Sequence, residues 1–256
     1  MVGGVQKLYT MKKTSIAIMA GIISLASLKA TAQSTTSATT NTNPGGIYLK
    51  GGWNLANIST NGDGTISDKH TLSSFNVGVL GDIPLNDMFS VQTGLFLQGR
   101  GSKTDYFADP NNKDNNYVKT RFRPLYLQIP ADFVIKVPLS NQARVFLGAG
   151  PYVEMGIGGK SKVETNVGGV VTTSSSTIKF NDDDPTTGDQ EGARYDRLKR
   201  FGVGINALAG VEFNRIAVGV GYDWGLTKIN STQTDNGAND KNKYRTFSVN
   251  LGIRLN

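Results

Sequence analysis

Eight segments of the chain alternate strictly between apolar residues and polar or glycine residues, and this period of two limits the fold most. In the last segment, for example, Val249, Leu251 and Ile253 alternate with Asn250 and Gly252. Successive side chains of a β-strand point to opposite faces, so each segment is predicted to be a strand with one apolar face. The segments are residues 46–55, 75–85, 89–98, 125–136, 144–155, 201–213, 216–224 and 247–256.

The connections between these strands alternate in length. The short links are residues 84–88, 138–142 and 214–215, and the long, polar links are residues 56–71, 101–120, 157–199 and 228–243. Antiparallel strands joined in this way are typical of outer-membrane barrels, whose strand number is even. We therefore predict an all-β fold, an eight-stranded antiparallel up-and-down transmembrane β-barrel with short periplasmic turns and long external loops.

The two faces of the predicted sheet differ sharply in charge. The apolar face is almost free of charge, whereas the opposite face carries nine ionisable residues. They are Lys50, Asp82, Asp132, Lys136, Arg144, Glu154, Glu212, Asp223 and Arg254. Lipid demands an apolar exterior, so these residues are predicted to face the lumen and to form an ion-pair network there. A soluble, lipocalin-like periplasmic binding barrel would reverse the two faces and is the alternative.

Aromatic residues are placed near both ends of the strands, as an interfacial girdle requires. Near the long loops these are Trp53, Phe75, Phe201, Trp224 and Phe247, and near the short turns they are Phe89, Phe133 and Phe213, with Ile83 beside them. Pro130 and Pro151 lie inside predicted strands, where proline removes a ladder donor. We expect a paired bulge at these two prolines.

The N-terminal region has the three parts of an export signal. Met11, the expected true start, precedes two lysines, residues 16–28 are apolar, and Ala30-Thr31-Ala32 is a small-residue cleavage site. Residues 1–32 hold four lysines and no acid, so their removal lowers the formal net charge from +7 to +3. A net charge of this size does not indicate nucleic-acid binding. We predict a signal peptide over 1–32, a flexible polar leader over 33–45 and the barrel over 46–256.

The chain also resembles a known family, the PorT-like or outer membrane protein beta-barrel domain proteins of Bacteroidetes-type bacteria. The resemblance rests on Ala32-Gln33 at the end of the signal, Gly51-Gly52-Trp53, the run LYLQIP at 125–130, the run GAGPY at 148–152 and the final alternating strand. It implies an outer-membrane barrel over nearly the whole exported chain, with a role in secretion or adhesion. The chain departs from many such barrels by ending in asparagine instead of an aromatic residue.

The sequence offers little for catalysis or for a cofactor. It contains no cysteine and one histidine, His70, which lies in the first external loop and cannot complete a Ser–His–Asp site in the barrel wall. In the same loop Asn61, Asp63 and Ser67 match side-chain positions of a calcium loop, but Ser59 and His70 replace its end carboxylates. We predict no enzyme activity and no cofactor, with these three residues only a weak metal candidate.

The third external loop, residues 157–199, is predicted to be a mobile, solvated loop with an acidic stretch at Asp182-Asp183-Asp184. Its basic end, with Arg194 and Arg197, and the adjacent Arg200 would lie near lipopolysaccharide phosphates. These three arginines are therefore candidates for lipid contact.

These observations predict a monomeric, non-catalytic integral outer-membrane protein. Its surroundings would be outer-membrane lipid and lipopolysaccharide, and its external loops would contact protein partners in a secretion, adhesion or envelope role. A small passive pore is an alternative, which the narrow lumen of eight strands disfavours.

Overall fold

The computed structural model describes residues 45–59, 71–108, 116–182, 197–229 and 242–255, which contain twelve β-strands. The strands are β1 (Gly46–Ser59), β2 (Leu72–Pro84), β3 (Phe89–Gly99), β4 (Ser102–Phe107), β5 (Tyr117–Pro138), β6 (Ala143–Val167), β7 (Val170–Thr177), β8 (Lys179–Asp182), β9 (Arg197–Lys199), β10 (Phe201–Phe213), β11 (Ile216–Gly225) and β12 (Lys243–Arg254). The same residues include no helix long and apolar enough to cross a membrane.

Eight of the strands close into a ring. Each pairs antiparallel with its neighbours in the order β1, β2, β3, β5, β6, β10, β11 and β12, and β12 pairs back onto β1. At the closing seam Trp53 lies opposite Val249 and Gly51 opposite Leu251, so the register of the two terminal strands is continuous. The predicted fold class, an all-β antiparallel barrel of eight strands, is confirmed.

The apolar residues of the ring lie on its outside. Leu49, Leu251 and Val218 are about half exposed, at 49%, 51% and 52%, whereas the intervening Asn54 and Asp132 are 0% and 2% exposed. Exposed aliphatic rows and buried charges are the arrangement that lipid requires. The lipocalin-like alternative is therefore wrong, since a soluble barrel would place the apolar face inside.

The short connections fall where the sequence predicts them. Residues 85–88, 139–142 and 214–215 link β2 to β3, β5 to β6 and β10 to β11. In the first turn, the Asn86 side chain accepts hydrogen bonds from the backbone N–H groups of Met88 and Phe89, both at 2.9 Å. In the third, Asn214 has a φ of 54°, a left-handed conformation that asparagine tolerates.

The external side differs from the prediction, because β-structure continues far into the predicted loops 101–120 and 157–199, and β1 also continues into the loop 56–71 as far as Ser59. Strand β4 continues β3 and pairs with β5 in the same register. Strands β5 and β6 are 22 and 25 residues long, whereas about 9–11 residues are enough to cross a membrane. Strand β6 then turns through Gly168 and Gly169, with φ of 59° and 87°, into β7. The predicted loops 101–120 and 157–199 are thus in part a four-stranded sheet, β4-β5-β6-β7, that extends the barrel wall outward.

A second difference from the predicted fold lies inside the external end of the barrel. The short parallel pair β8–β9 and its flanks contribute to a buried apolar group, which we call the mouth cluster. Its members are Phe122, Tyr126, Ile178, Phe180, Leu198, Ile229 and Tyr244. The Phe180 ring meets the inward-facing Tyr126 edge-on at 5.3 Å, and Tyr126 meets Tyr244 at 5.4 Å. Part of the predicted third loop therefore folds back into the barrel mouth.

Both strand prolines lie in regular ladder positions. Pro130 is opposite Tyr152 and Pro151 is opposite Ile205, and the register shift of the β5–β6 pair lies between Leu125 and Tyr126 instead. The expected bulge at the two prolines is wrong. The Pro130 carbonyl still accepts a hydrogen bond from the Thr93 hydroxyl at 2.8 Å.

Candidate functional site

The lumen near the periplasmic turns contains a connected group of charges around Lys136, here called the Lys136 cluster. The Lys136 ammonium forms ion pairs with Asp82 and, at 3.3 Å, with Glu212. Glu212 also lies 3.7 Å from Arg254 and accepts a hydrogen bond from the Tyr48 hydroxyl at 2.8 Å. These contacts join five strands, β1, β2, β5, β10 and β12, because buried charges need partners.

A second group, the Arg100 cluster, occupies the external half of the lumen. The Arg100 side chain is fully buried and lies 2.9 Å from both Glu154 and Asp223. It also donates a hydrogen bond to the Thr246 hydroxyl at 2.9 Å, and its guanidinium lies over the Tyr152 ring at 5.3 Å. One guanidinium therefore connects strands from both sides of the ring.

Between the two clusters lie Lys50 and Asp132. Asp132 accepts a hydrogen bond from Asn206 at 3.3 Å, and Lys50 lies over the Phe96 ring at 5.8 Å without an ion pair to any described carboxylate. Both residues line a cavity of about 50 Å³, and Lys50 also lines a second cavity of about 30 Å³. Such volumes hold a few water molecules, since one water needs about 10–15 Å³.

Of the nine charged residues predicted to face the lumen, six are buried, Lys50 and Asp223 line the larger cavity, and Arg254 lies beside Glu212. The Lys136 cluster contains Asp82, Lys136, Glu212 and Arg254, and Arg144 lies directly opposite Glu212 across the β6–β10 pair. Glu154 and Asp223 bind Arg100, which the sequence reasoning missed. The period of two, continued from Gln98, places Arg100 inward, but the predicted third strand ends at Gln98 and the next predicted loop begins at Gly101.

The predicted girdle residues lie on the outside of the ring. Trp53 and Phe75 are direct cross-strand partners near the external end, and Phe89 stacks on Phe133 at 5.5 Å near the periplasmic end. The remaining members with large exposed side chains are Phe201, Phe213, Trp224 and Phe247.

The predicted metal and lipid-contact residues lie mostly outside the described part of the chain. Asn61, Asp63, Ser67 and His70, as well as Arg194, lie outside the described residues, and of Arg197 only the backbone is described, in β9. Arg200 donates a hydrogen bond from Nε to the Phe180 carbonyl at 3.1 Å, so it is part of the wall around the mouth cluster. Within the described ranges no group of three or more His, Cys, Asp or Glu residues could hold a metal ion.

A closed antiparallel ring with an apolar exterior and a charged interior defines a transmembrane β-barrel. The chain belongs to the outer membrane protein beta-barrel domain family, whose model matches residues 31–231. It is accordingly an integral protein of the bacterial outer membrane, surrounded by that membrane's lipid.

Solved structures of other outer-membrane proteins are similar at low identity. Ail, the attachment invasion locus protein of Yersinia pestis, in complex with the heparin analogue sucrose octasulfate, is 13% identical, with 82% of this chain and 99% of Ail covered and a TM-score of 0.36. Neisserial surface protein A is 13% identical, with 82% of this chain and 97% of that protein covered and a TM-score of 0.37. OprG of Pseudomonas aeruginosa is 11% identical, with 82% of this chain and 96% of OprG covered and a TM-score of 0.34. A comparison with curated proteins found no match.

Proposed function

We propose that this protein is a non-catalytic outer-membrane barrel that acts through its external sheet, in a secretion, adhesion or envelope role. The observation that carries the proposal is the contrast between the two parts of the molecule. The lumen is occupied by the Lys136 cluster, the Arg100 cluster and the mouth cluster, whereas the β4–β7 sheet extends the wall beyond the barrel.

The outer edge of that sheet supports binding of a protein partner. All eight residues of β7, Val170–Thr177, are exposed, and the strand contains only valine, threonine and serine. Within the described residues β7 pairs on one side only, with β6. An uncharged edge strand presents backbone N–H and C=O groups to which an extended peptide can add.

The absence of enzyme activity is part of the same proposal. The buried acids Asp82, Glu154 and Glu212 each pair with a cation, which is the environment of a structural charge. The finer assignment to the PorT-like proteins also belongs here and rests on the motifs of the β1, β5 and β6 segments. We propose further that the barrel is a monomer.

Two measurements test the proposal together. A photo-crosslinking residue at Ser174 in intact cells is expected to give an adduct of defined mass, and the same residue at lumen-facing Asn250 is expected to give none. Refolded protein in a planar bilayer is expected to show no steady conductance, because side chains fill an eight-stranded lumen. A large, ion-selective conductance without adducts at Ser174 would contradict the proposal and favour the pore.

A further inference from the structure

The outward side of the β4–β7 sheet carries a concentration of positive charge. Phe122 lies in the mouth cluster inside the barrel, so its neighbours Arg121 and Arg123 point outward. Direct cross-strand partners share a face, and they place eight charged residues beside one another in three rungs. The rungs are Arg123 with Lys160, Arg121 with Lys103 and Lys162, and Lys119 with Asp105 and Glu164. The face therefore has six cations and two acids.

This basic face begins where the apolar outside of the barrel ends. Leu125 is the last apolar outward residue of β5 and Ile157, half exposed, is the last of β6, and the Arg123–Lys160 rung follows directly. Two residues of a strand tilted by about 40° rise roughly 5 Å. The headgroup layer of a leaflet is roughly 5–8 Å thick, so the first rung lies within it and the second lies just above.

The acids of the face already have partners. Asp105 forms an ion pair with Arg121, and Glu164 lies 3.7 Å from Lys162 and accepts a hydrogen bond from the Tyr117 hydroxyl at 3.0 Å. The first rung, in contrast, places two cations, Arg123 and Lys160, directly opposite each other, and both side chains are exposed. Like charges in direct opposition destabilise a sheet, and an anion between them removes that cost.

We infer that this basic face binds the phosphate groups of the lipopolysaccharide in the outer leaflet. A phosphate between Arg123 and Lys160 would accept charge-assisted hydrogen bonds from both, with Lys162 in the next rung as a further donor. The inference rests on the position of the barrel in the membrane and is independent of any protein partner at β7. It places the phosphate contacts on β5 and β6.

The test uses the full-length exported protein, refolded in detergent, with binding measured by native mass spectrometry. The probes are bisphosphorylated lipid A, dephosphorylated lipid A and inorganic phosphate. The variant Arg123→Gln/Lys160→Gln/Lys162→Gln removes three charges from the face, and the control Lys179→Gln/Lys199→Gln/Arg215→Gln removes three charges elsewhere. Slower migration on gels after boiling verifies that each variant is folded.

The bisphosphorylated lipid is expected to bind the wild type and the control alike and to bind the face variant roughly tenfold more weakly or worse. Dephosphorylated lipid A and free phosphate are expected to bind weakly to all three. The gain variant Asp105→Asn/Glu164→Gln is expected to bind the bisphosphorylated lipid more tightly. Equal affinity of wild type and face variant, equal weakening in the control, or indifference to the lipid phosphates would each overturn the inference.

Discussion

Arg100 shows how a single residue connects the wall of the barrel to its interior. It lies between β3 and β4, and its backbone N–H still donates to the Pro124 carbonyl at 3.0 Å, so the ladder is kept. The following Gly101 has a φ of +122°, and a Cβ there would lie 1.9 Å from the Phe122 carbonyl oxygen. Glycine is therefore required at this point, and the guanidinium beside it reaches two acids on distant strands.

Replacing Arg100 by methionine is expected to lower the free energy of unfolding by about 3–5 kcal/mol, because Glu154 and Asp223 would remain buried without their cation. Urea unfolding in lipid vesicles, followed by tryptophan fluorescence, measures the change. Combining Arg100→Met with Glu154→Gln is expected to cost less than the sum of the two single changes.

A matched control lies on the external sheet, where Arg121 pairs with Asp105 in a partly exposed position. Arg121→Met is expected to cost less than about 1 kcal/mol, as surface ion pairs do. Equal costs at Arg100 and Arg121 would show that the lumen pair is not buried from solvent.

The strands of the ring were predictable because each has one lipid-facing side, which imposes a period of two on the sequence. Outside the membrane no side of a strand has to face lipid, and for this reason the external extensions of β5 and β6 and strand β7 were not predicted. The β6 extension is largely polar on both faces, and β7 is exposed on every residue, so no apolar alternation marks them. In the β5 extension the alternation continues with the opposite polarity, because Phe122 faces inward and Arg121 and Arg123 face outward. The Gly168-Gly169 pair between valine- and threonine-containing runs was the available hairpin signal. The β8–β9 pair depends on contacts distant in sequence, which no local pattern reports.

The mouth cluster gives a test at the level of one element. A Cβ at Gly156 would lie 2.1 Å from the Phe180 ring, whereas one at Gly158 would meet nothing within 4 Å. Gly156→Ala is therefore expected to displace Phe180 and to increase amide hydrogen exchange in β8 and β9. Gly158→Ala, two residues along the same strand, is expected to leave exchange unchanged. Similar exchange in both variants would contradict the packing of β8 inside the barrel mouth.

Strand β11 tests the energetic cost of charge on the lipid side. Val220 lies midway along the strand and is 44% exposed. Val220→Arg is expected to destabilise the protein by roughly 2–4 kcal/mol, as arginine does near the bilayer midplane. Thr173→Arg, on exposed β7 outside the membrane, is expected to change stability by less than about 0.5 kcal/mol. Both are measured by urea unfolding in vesicles, and equal tolerance would contradict the assigned outward face.

At the largest scale, the described strands form a barrel whose exterior is apolar and whose interior is charged, the reverse of a soluble protein. The outward side chains are aliphatic, with aromatic residues near both ends of the strands. The interior contains the Lys136 cluster and the Arg100 cluster, with two water-sized cavities beside them. The external end is closed by apolar packing and extended by a sheet of opposite character, polar and basic. The ring therefore holds the molecule in the membrane, and the projecting sheet is the part available for recognition.

The central claim, that odd-numbered residues of β12 face lipid and even-numbered ones face the lumen, has a direct test. The chain contains no cysteine, so a spin label on a single introduced cysteine reports one site. Labels at each position from Phe247 to Ile253, in vesicles, are measured for collision with oxygen, which concentrates in lipid. The account predicts high accessibility at 247, 249, 251 and 253 and low accessibility at 248, 250 and 252. The reverse alternation, or equal accessibility at all seven positions, would contradict it.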